Sequence, residues 1–422
     1  MSALRRRFVP ARRERAPEHG TVNLIRTLLL FESAMYSAVT PVLPHYAHAF
    51  GASKPAVGVL AAAYPAGIIP GSLLGAWMVT RAGVRRTTLV GLLVFAVAIV
   101  AFGFGTDIVS LDVLRFIQGA ACGFIWGGGL TWVIAVAPRQ RRGEVMGSVI
   151  AGAIFGTLLG PVLGTLAVGI GTELVFSLVG AVSLGLAVWT FGHPEPPPAE
   201  SSRTATPLRA LIANPRIMLG SWLILLEACT IGATGTLLPL RLSRFGASGV
   251  AIGVTFLLTA LASTVLATPI GRLVDRRGAG VPLYAGLTMT AVLLALLPLP
   301  QSALVLAVVS VVALGGPLTA YTIPAMSVIT EAAERAGIAL AVATMALNLA
   351  WATGETIGAP VAASLSQATS DAVPLLLLAA IMVLTLIPVR RARLTRPATA
   401  VPPSDAQDME VEASERVPVA TG

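Results

Sequence analysis

The sequence predicts an all-α membrane protein with twelve transmembrane helices in two pseudo-symmetric six-helix bundles. Composition, the length of the apolar runs and an internal repeat lead to this prediction. Of the 422 residues, 55% are hydrophobic and only 12% are charged, a more apolar mixture than that of a soluble domain. Continuous apolar runs of about twenty residues, each long enough to cross roughly 30 Å of hydrocarbon as a helix, recur along the chain. A membrane β-barrel would show short alternating strands instead.

The apolar runs define twelve predicted spans. They cover residues 24–46, 55–78, 88–106, 110–136, 145–168, 173–192, 217–239, 249–270, 281–299, 303–328, 338–362 and 372–389. The proline-rich, polar stretch between the sixth and seventh spans is unable to form a packed core. We therefore predict five segments, which are a basic cytoplasmic tail (1–23), a first bundle (24–192), a cytoplasmic central loop (193–216), a second bundle (217–389) and a disordered cytoplasmic tail (390–422).

An internal repeat relates the two predicted bundles. A shift of 195 positions aligns prolines, glycines and glutamates that apolar composition alone would not align. The aligned pairs include Glu32 with Glu227, Pro44 with Pro239, Gly51 with Gly246, Ser53 with Ser248, Arg81 with Arg276 and Gly83 with Gly278. Two parallel six-helix repeats around a site at the membrane midplane are a plan used by secondary transporters.

The basic residues lie at alternate ends of the predicted spans. The net charge is +9, and arginines cluster before the first span and after the second, fourth, eighth and twelfth. Because positively charged loops stay in the cytoplasm, we expect both termini to be cytoplasmic and the protein to lie in the cell (inner) membrane. This placement argues against nucleic acid as a partner.

The loop after the eighth predicted span carries a recognisable pattern. Gly271, Asp275, Arg276 and Gly278 resemble the cytoplasmic loop signature of the major facilitator superfamily. The first-half copy keeps Arg81 and Gly83, but it has alanine and threonine where the signature has glycine and aspartate. An aspartate among arginines at a helix end can form charge-assisted bonds that must break during rocking. The alternative is a basic turn that serves topology alone.

Two further patterns resemble signatures of this superfamily. In the fourth span Arg115, Gln118 and Gly119 resemble a signature of proton-coupled members. Desolvating a guanidinium is costly, so we expect Arg115 to face the cavity, unless it snorkels to the outer interface.

In the fifth span Gly156, Gly160, Pro161 and Gly164 are similar to the antiporter signature of the twelve-helix drug:proton antiporter group. Glycines at this spacing also permit close helix packing, and packing alone would explain them. The resemblance covers residues 24–389, and it implies two bundles around a central cavity with alternating access.

Three carboxylates fall inside predicted spans. Glu32, Glu227 and Glu355 would each be costly if they faced lipid, so they are candidates for proton coupling together with Arg115. Structural hydrogen bonds between helices are the alternative role.

Polar and aromatic residues near these carboxylates are candidates for the cavity wall. Tyr36 lies one turn after Glu32, and Asn348 and Trp351 share a helix face with Glu355. Trp126 belongs to the span of Arg115. Aromatic rings beside acidic groups suit amphipathic or cationic solutes, although the two tryptophans would serve equally well as packing.

These observations favour a secondary transporter that exports a small amphipathic or cationic solute in exchange for protons, with Glu32 as the leading proton site and Arg115 biasing its ionisation. Two alternatives are a facilitator or proton symporter that imports a nutrient, and a receptor or scaffold that does not transport. We expect no enzymatic activity, cofactor or metal, because no triad, nucleotide loop or ligand cluster appears. The expected partners are the solute, protons and lipid, and we expect a monomer.

Overall fold

The structure is a computed structural model, and it describes residues 15–137, 141–196, 213–338 and 340–392. Within these ranges the first half of the chain forms seven α-helices, which are α1 (Arg15–Ala38), α2 (Leu43–Ala49), α3 (Lys54–Ala82), α4 (Val84–Gly103), α5 (Ile108–Val136), α6 (Arg142–Ile170) and α7 (Thr172–Phe191). The second half forms α8 (Pro215–Arg244), α9 (Gly249–Arg277), α10 (Gly280–Leu296), α11 (Ala303–Gly315), α12 (Pro317–Arg335), α13 (Leu340–Ala368) and α14 (Ala372–Arg391).

The twelve predicted spans all fall on these helices, and the predicted all-α membrane fold is confirmed. Two spans consist of two helices each. The first is interrupted by a 3₁₀ turn at Thr40–Val42, where Pro41 cannot donate a backbone hydrogen bond. The tenth is interrupted at Gly316, directly before Pro317. A proline therefore lies at both interruptions.

Hydropathy alone marks nine helical segments of the described chain as able to cross a membrane. The other three predicted spans are α1 with α2, α10 and α13. Helix α10 has only 17 residues, whereas α1 and α13 contain Glu32 and Glu355. Ionisable residues in membrane helices are expensive and mark functional positions, and two of the three spans with a weaker hydropathy signal carry a candidate site residue.

The internal repeat is visible in the backbone. Gly51 and Gly246 have φ of 57° and 82°, and Gly83 and Gly278 have φ of 89° and 76°, a region that glycine adopts without strain. Ser53 and Ser248 accept hydrogen bonds from the amides of residues 56 and 251 and so cap α3 and α9 in the same way. The aligned sequence positions thus make equivalent turns.

Glycines allow the closest helix pairs to form. Helix α6 packs on α1, where a Cβ at Gly156, Gly160 or Gly164 would lie within 2.5 Å of α1 atoms. Helix α13 packs on α8 in the same manner through Gly354 and Gly358. The glycines of the predicted antiporter pattern therefore lie at a helix contact, as the packing interpretation requires.

Each half has its own hydrophobic core. One cluster of buried side chains extends from Leu24 to Ala187, and another from Ile217 to Val389. The limits of the predicted segments stay predictions. Residues 1–14, 197–212 and 393–422, which include most of both predicted tails and of the central loop, lie outside the described residues.

The two halves meet at one membrane face, which we call the latch face. Here Lys54 of the first half contacts Asp371 (Nζ to Oδ1, 2.6 Å) and Ser366 (Nζ to Oγ, 2.7 Å) of the second. Asp371 also pairs with Arg244. We call these four residues the latch. The opposite face, where α1 begins and α14 ends, is called the terminal face.

Close backbone contacts support the latch. A Cβ on Gly58 of α3 would lie 2.8 Å from the Cβ of Ala363 on α13. A Cβ on Gly253 of α9 would lie 1.8 Å from the hydroxyl oxygen of Thr165 on α6. The two halves are therefore in tight contact at the latch face.

Asp371 remains charged over a wide pH range. Partial burial favours its neutral form, but hydrogen bonds from Lys54 and Ser366 and the charges of Arg244 and Lys54 outweigh this, so its pKa lies below the ordinary value of 3.8. A carboxyl group with a lowered pKa stabilises the folded state above its ordinary pKa and loses that contribution as the pH falls further. The latch is therefore intact at neutral pH.

Replacing Gly156 by alanine is expected to destabilise the protein, because the new methyl group would overlap the carbonyl of Leu30, 2.0 Å away. Overpacking of this kind costs about 1–3 kcal/mol. The measurement is thermal unfolding in detergent, followed with a thiol-reactive dye on the free Cys122 and Cys229. Gly169→Ala on the same helix is the control, since open space surrounds its Cβ position. Equal melting temperatures for both variants would contradict this packing.

Replacing Lys54 by glutamine is expected to loosen the latch, because Asp371 then loses its only described partner from the first half. In a variant whose native cysteines are serines, Ala61→Cys in the cavity wall should then react several-fold faster with a water-soluble maleimide when the protein is reconstituted in nanodiscs. Arg335→Gln, which removes an exposed ion pair within one helix, should leave the rate unchanged. An unchanged rate in Lys54→Gln would show that the latch does not hold this face closed.

Candidate functional site

A cavity of about 60 Å³ lies between the two halves. The first half contributes residues of α1, of the turn that follows it, and of α2, α3 and α5, and the second contributes residues of α8 and α13. Its lining residues include Tyr36, Val39, Leu43, Arg115, Ile231, Gly235 and Glu355. The predicted proton-coupling residues Arg115 and Glu355 therefore line the same cavity as Tyr36, a predicted cavity residue.

A hydrogen bond between Tyr36 and Glu355 connects the halves across this cavity. The hydroxyl of Tyr36 on α1 donates to Oε1 of Glu355 on α13. The ring of Tyr36 also contacts that of Trp351, with centroids 5.5 Å apart and edge-to-face geometry. Any motion that separates α1 from α13 must break this contact.

Arg115 is buried, with 2% of its surface exposed, and it does not snorkel to an interface. Its Nη1 donates to Oε1 of Gln118 at 3.0 Å, and its Nη2 donates to the carbonyl oxygen of Tyr36 at 3.1 Å. The guanidinium carbon lies 4.3 Å from the centroid of the Tyr64 ring, a distance typical of a cation–π contact. Gln118 is thereby placed as a direct partner of Arg115.

Glu32 lies inside the first half. It accepts hydrogen bonds from the hydroxyl of Tyr64 on α3 and from Nε1 of Trp126 on α5, the latter at 2.5 Å. Neither Glu32 nor Trp126 is among the described residues that line the central cavity. The leading predicted proton site is therefore next to the cavity wall, behind Tyr64.

Glu227 occupies the corresponding place in the second half. It is 6% exposed, and it accepts a hydrogen bond from the hydroxyl of Thr322 on α12 at 3.1 Å. Asn348, by contrast, is exposed, one turn away from Trp351 on α13. The polar stripe predicted on this helix is thus only partly buried.

The predicted loop signatures lie at the terminal face, at the ends of α3 and α9. Arg81 is exposed and lies over the ring of Trp77, 4.9 Å from its centroid. Gly271 has open space around its Cβ position, and Arg276 is exposed. The side chain of Asp275 lies outside the described part of the structure.

Gly119 and Pro161 belong to helix contacts. A Cβ on Gly119 would lie 1.9 Å from the carbonyl of Tyr64, so α5 and α3 touch at the level of the site. Pro161 lies inside α6, and its carbonyl oxygen accepts a hydrogen bond from Thr165 at 2.8 Å. Both residues therefore position helices, and neither is among the described residues that line the cavity.

Sequence reasoning missed several polar partners. Tyr64 contacts both Glu32 and Arg115, and one signal for it was a tyrosine within an otherwise apolar span. Thr322 carries no signal, because threonines commonly bond to their own helix backbone. Lys54 and Asp371 lie at helix ends distant in sequence, so only folding brings them together.

Comparison with known proteins relates the chain to one family. The Major Facilitator Superfamily profile matches residues 27–355. The MFS-type transporter YcaD of Escherichia coli O45:K1 is 25% identical over 334 residues, which are 78% of this chain and 85% of YcaD. The YcaD protein of Shigella flexneri serotype 5b has the same identity and coverage.

Solved transporter structures share the fold. A bacterial homologue of the human lysosomal transporter Spinster, inward-facing and occupied, superimposes with a TM-score of 0.73 at 14% identity and covers 90% of this chain and 98% of its own. A variant of the nucleoside transporter NupG gives 0.69 at 13% identity, with 88% and 99% covered.

Replacing Arg115 by lysine is expected to destabilise the protein by about 1–3 kcal/mol, because an ammonium cannot satisfy Gln118 and the Tyr36 carbonyl while lying flat on the Tyr64 ring. The dye-monitored melting temperature should fall. Arg81→Lys is the matched control, since that arginine also lies over an aromatic ring but is exposed. A loss of stability in Arg81→Lys as large as in Arg115→Lys would refute the special role of the buried contacts.

Proposed function

Because this chain belongs to the major facilitator superfamily of membrane transporters, we propose that it is a secondary active transporter that exports a small amphipathic or cationic solute in exchange for protons. Alternating rotation of the two halves about the central cavity exposes that cavity to one membrane face and then to the other. The terminal face is the cytoplasmic face in this proposal, as the distribution of arginines predicts.

The observation that carries the proposal is the set of buried carboxylates around the cavity. Glu32, Glu227 and Glu355 are 3%, 6% and 7% exposed, and in the described part of the chain hydroxyl and indole groups, not cations, are their hydrogen-bond donors. A carboxylate in a membrane without an ion-pair partner tends to take up a proton. Such groups suit a protein that carries protons.

Glu355 can link proton uptake to the conformational change. Its bond to Tyr36 exists only while α1 and α13 are together, so opening of the halves on that side changes its surroundings. Arg115 lines the same cavity, and its positive charge favours the ionised form of nearby carboxylates. We therefore assign the leading proton-carrying role to Glu355 along with Glu32, and we propose that Glu227 supports solute binding.

The loop signatures serve as gates in this proposal. The two loops lie at corresponding helix ends. The loop of the first half carries Arg81 and Gly83, and the loop of the second half carries Gly271, Asp275, Arg276 and Gly278. Charge-assisted bonds between these loops would close the terminal face when the latch face opens. The latch and the loop signatures would then alternate.

A proton-coupled importer and a facilitator share the fold and the cavity. Direction separates the importer from the exporter, and independence from a proton gradient identifies the facilitator. A receptor or scaffold would show no solute-dependent proton movement at all.

Proteoliposomes with an internal pH dye and an imposed proton gradient test the proposal. Adding members of a panel of organic cations, zwitterions and neutral amphiphiles should drive proton flux opposite to solute flux. The flux should fall at least tenfold in Glu355→Gln and in Glu32→Gln. The control is Glu144→Gln, a carboxylate with a 66% exposed side chain at the terminal face, which should retain the wild-type flux.

Other outcomes decide between the alternatives. Proton and solute movement in the same direction would identify a symporter, and solute equilibration without a gradient would identify a facilitator. Absence of solute-dependent proton flux across the whole panel would reject proton-coupled export.

A further inference from the structure

Among the buried atoms without a hydrogen-bond partner in the described chain, two belong to side chains that line the central cavity and can carry opposite charges. They are Nε of Arg115 and Oε2 of Glu355. Both side chains line the central cavity, and both are more than nine-tenths buried, with 2% and 7% of their surface exposed. Because burial without a partner costs the desolvation energy of the group, native structures rarely leave charged atoms in this state. Something that enters the cavity is expected to complete both.

The two groups do not complete each other. In the described chain the ion pairs involve other residues, and Tyr36 separates Arg115 from Glu355. The carbonyl oxygen of Tyr36 accepts from Arg115, whereas its hydroxyl donates to Glu355. The charges are therefore held at the two ends of one tyrosine residue, as two separate points of attachment.

This arrangement favours a ligand that carries both charges. A simple cation would gain the carboxylate of Glu355 but would be repelled by Arg115, and a simple anion would meet the reverse. A molecule with an anionic and an ammonium group gains two charge-assisted hydrogen bonds and leaves neither Arg115 nor Glu355 uncompensated.

The rest of the wall suits an apolar attachment to such a head group. Val39, Leu43 and Ile231 provide aliphatic surface. The ring of Tyr36 also lines the cavity, with the ring of Trp351 packed against it, and an aromatic face of this kind attracts an ammonium group. The cavity is small, with a volume of about 60 Å³. In this conformation the cavity therefore accommodates a compact charged head, and the apolar part extends along the interface as it opens.

We propose that the central cavity is a binding site for a zwitterionic solute with an apolar side group, whose anionic group binds Arg115 and whose ammonium group binds Glu355. The statement that this molecule is the transported solute rests on the proposed function. Binding of this molecule in the cavity does not depend on that function.

Three probes with one aromatic group and different charges test the site. L-Phenylalanine is zwitterionic, L-phenylalaninamide is cationic and N-acetyl-L-phenylalanine is anionic. Their affinities for the full-length protein in nanodiscs are measured by calorimetry at neutral pH without any gradient. The zwitterion is expected to bind at least tenfold more tightly than either singly charged probe. In Glu355→Gln this preference over the N-acetyl compound should fall below threefold.

A cavity-filling variant checks the location without touching the charged residues. Gly235 lines the cavity, and open space surrounds its Cβ position, so Gly235→Val should fold normally and lose binding at least tenfold. Gly185→Val is the matched control. It makes the same change at a glycine of α7 that also has open space, and it should bind as the wild type does.

Four results would overturn the proposal. These are equal or tighter binding of the amide, equal or tighter binding of the N-acetyl compound, no binding of any probe to the wild type, and full binding in a well-folded Gly235→Val. Selective binding without phenylalanine-driven proton flux would keep the site and reject its role in antiport. Proton flux driven by the amide alone would support antiport and reject the zwitterion site.

Discussion

The centre of the protein depends on the contacts that keep a guanidinium stable inside the membrane. Arg115 is surrounded by Gln118, the Tyr36 carbonyl and the face of the Tyr64 ring, and these groups come from three helices. Since an isolated charge in a low-dielectric interior is very costly, α1, α3 and α5 must keep their relative positions. Close contacts at glycines such as Gly119 allow these helices to approach within reach of the arginine.

Tyr36 converts this local requirement into a property of the whole molecule. Its backbone belongs to the arginine site, and its hydroxyl bonds to Glu355 in the other half. The same residue therefore contacts the buried charge of the first half through its carbonyl oxygen and the second half through its hydroxyl. A transporter needs such a connection, because binding in the cavity must be linked to the contact between the halves.

The repeat builds two similar bundles, but the site is asymmetric. The glycine contacts of α6 on α1 and of α13 on α8 are equivalent, and Glu32 and Glu227 occupy aligned positions. The arginine has no counterpart, since residues 303–334 of the second half contain no arginine or lysine. The cavity thus has a basic wall from the first half and an acidic wall from the second, which gives a bound solute a preferred orientation.

The sequence by itself determined the helices, the repeat, the family resemblance and the candidates Glu32, Arg115, Glu227 and Glu355, because apolar length and the cost of charge in lipid act on each helix separately. The glycines that the repeat aligns likewise determined equivalent turns in the two halves. Only the tertiary structure decided that Arg115 and Glu355 share a cavity, that Glu32 lies behind Tyr64 and that Lys54 meets Asp371. Those contacts join residues as many as 317 positions apart, and they depend on how helices rotate and approach each other, which periodicity in one helix does not encode.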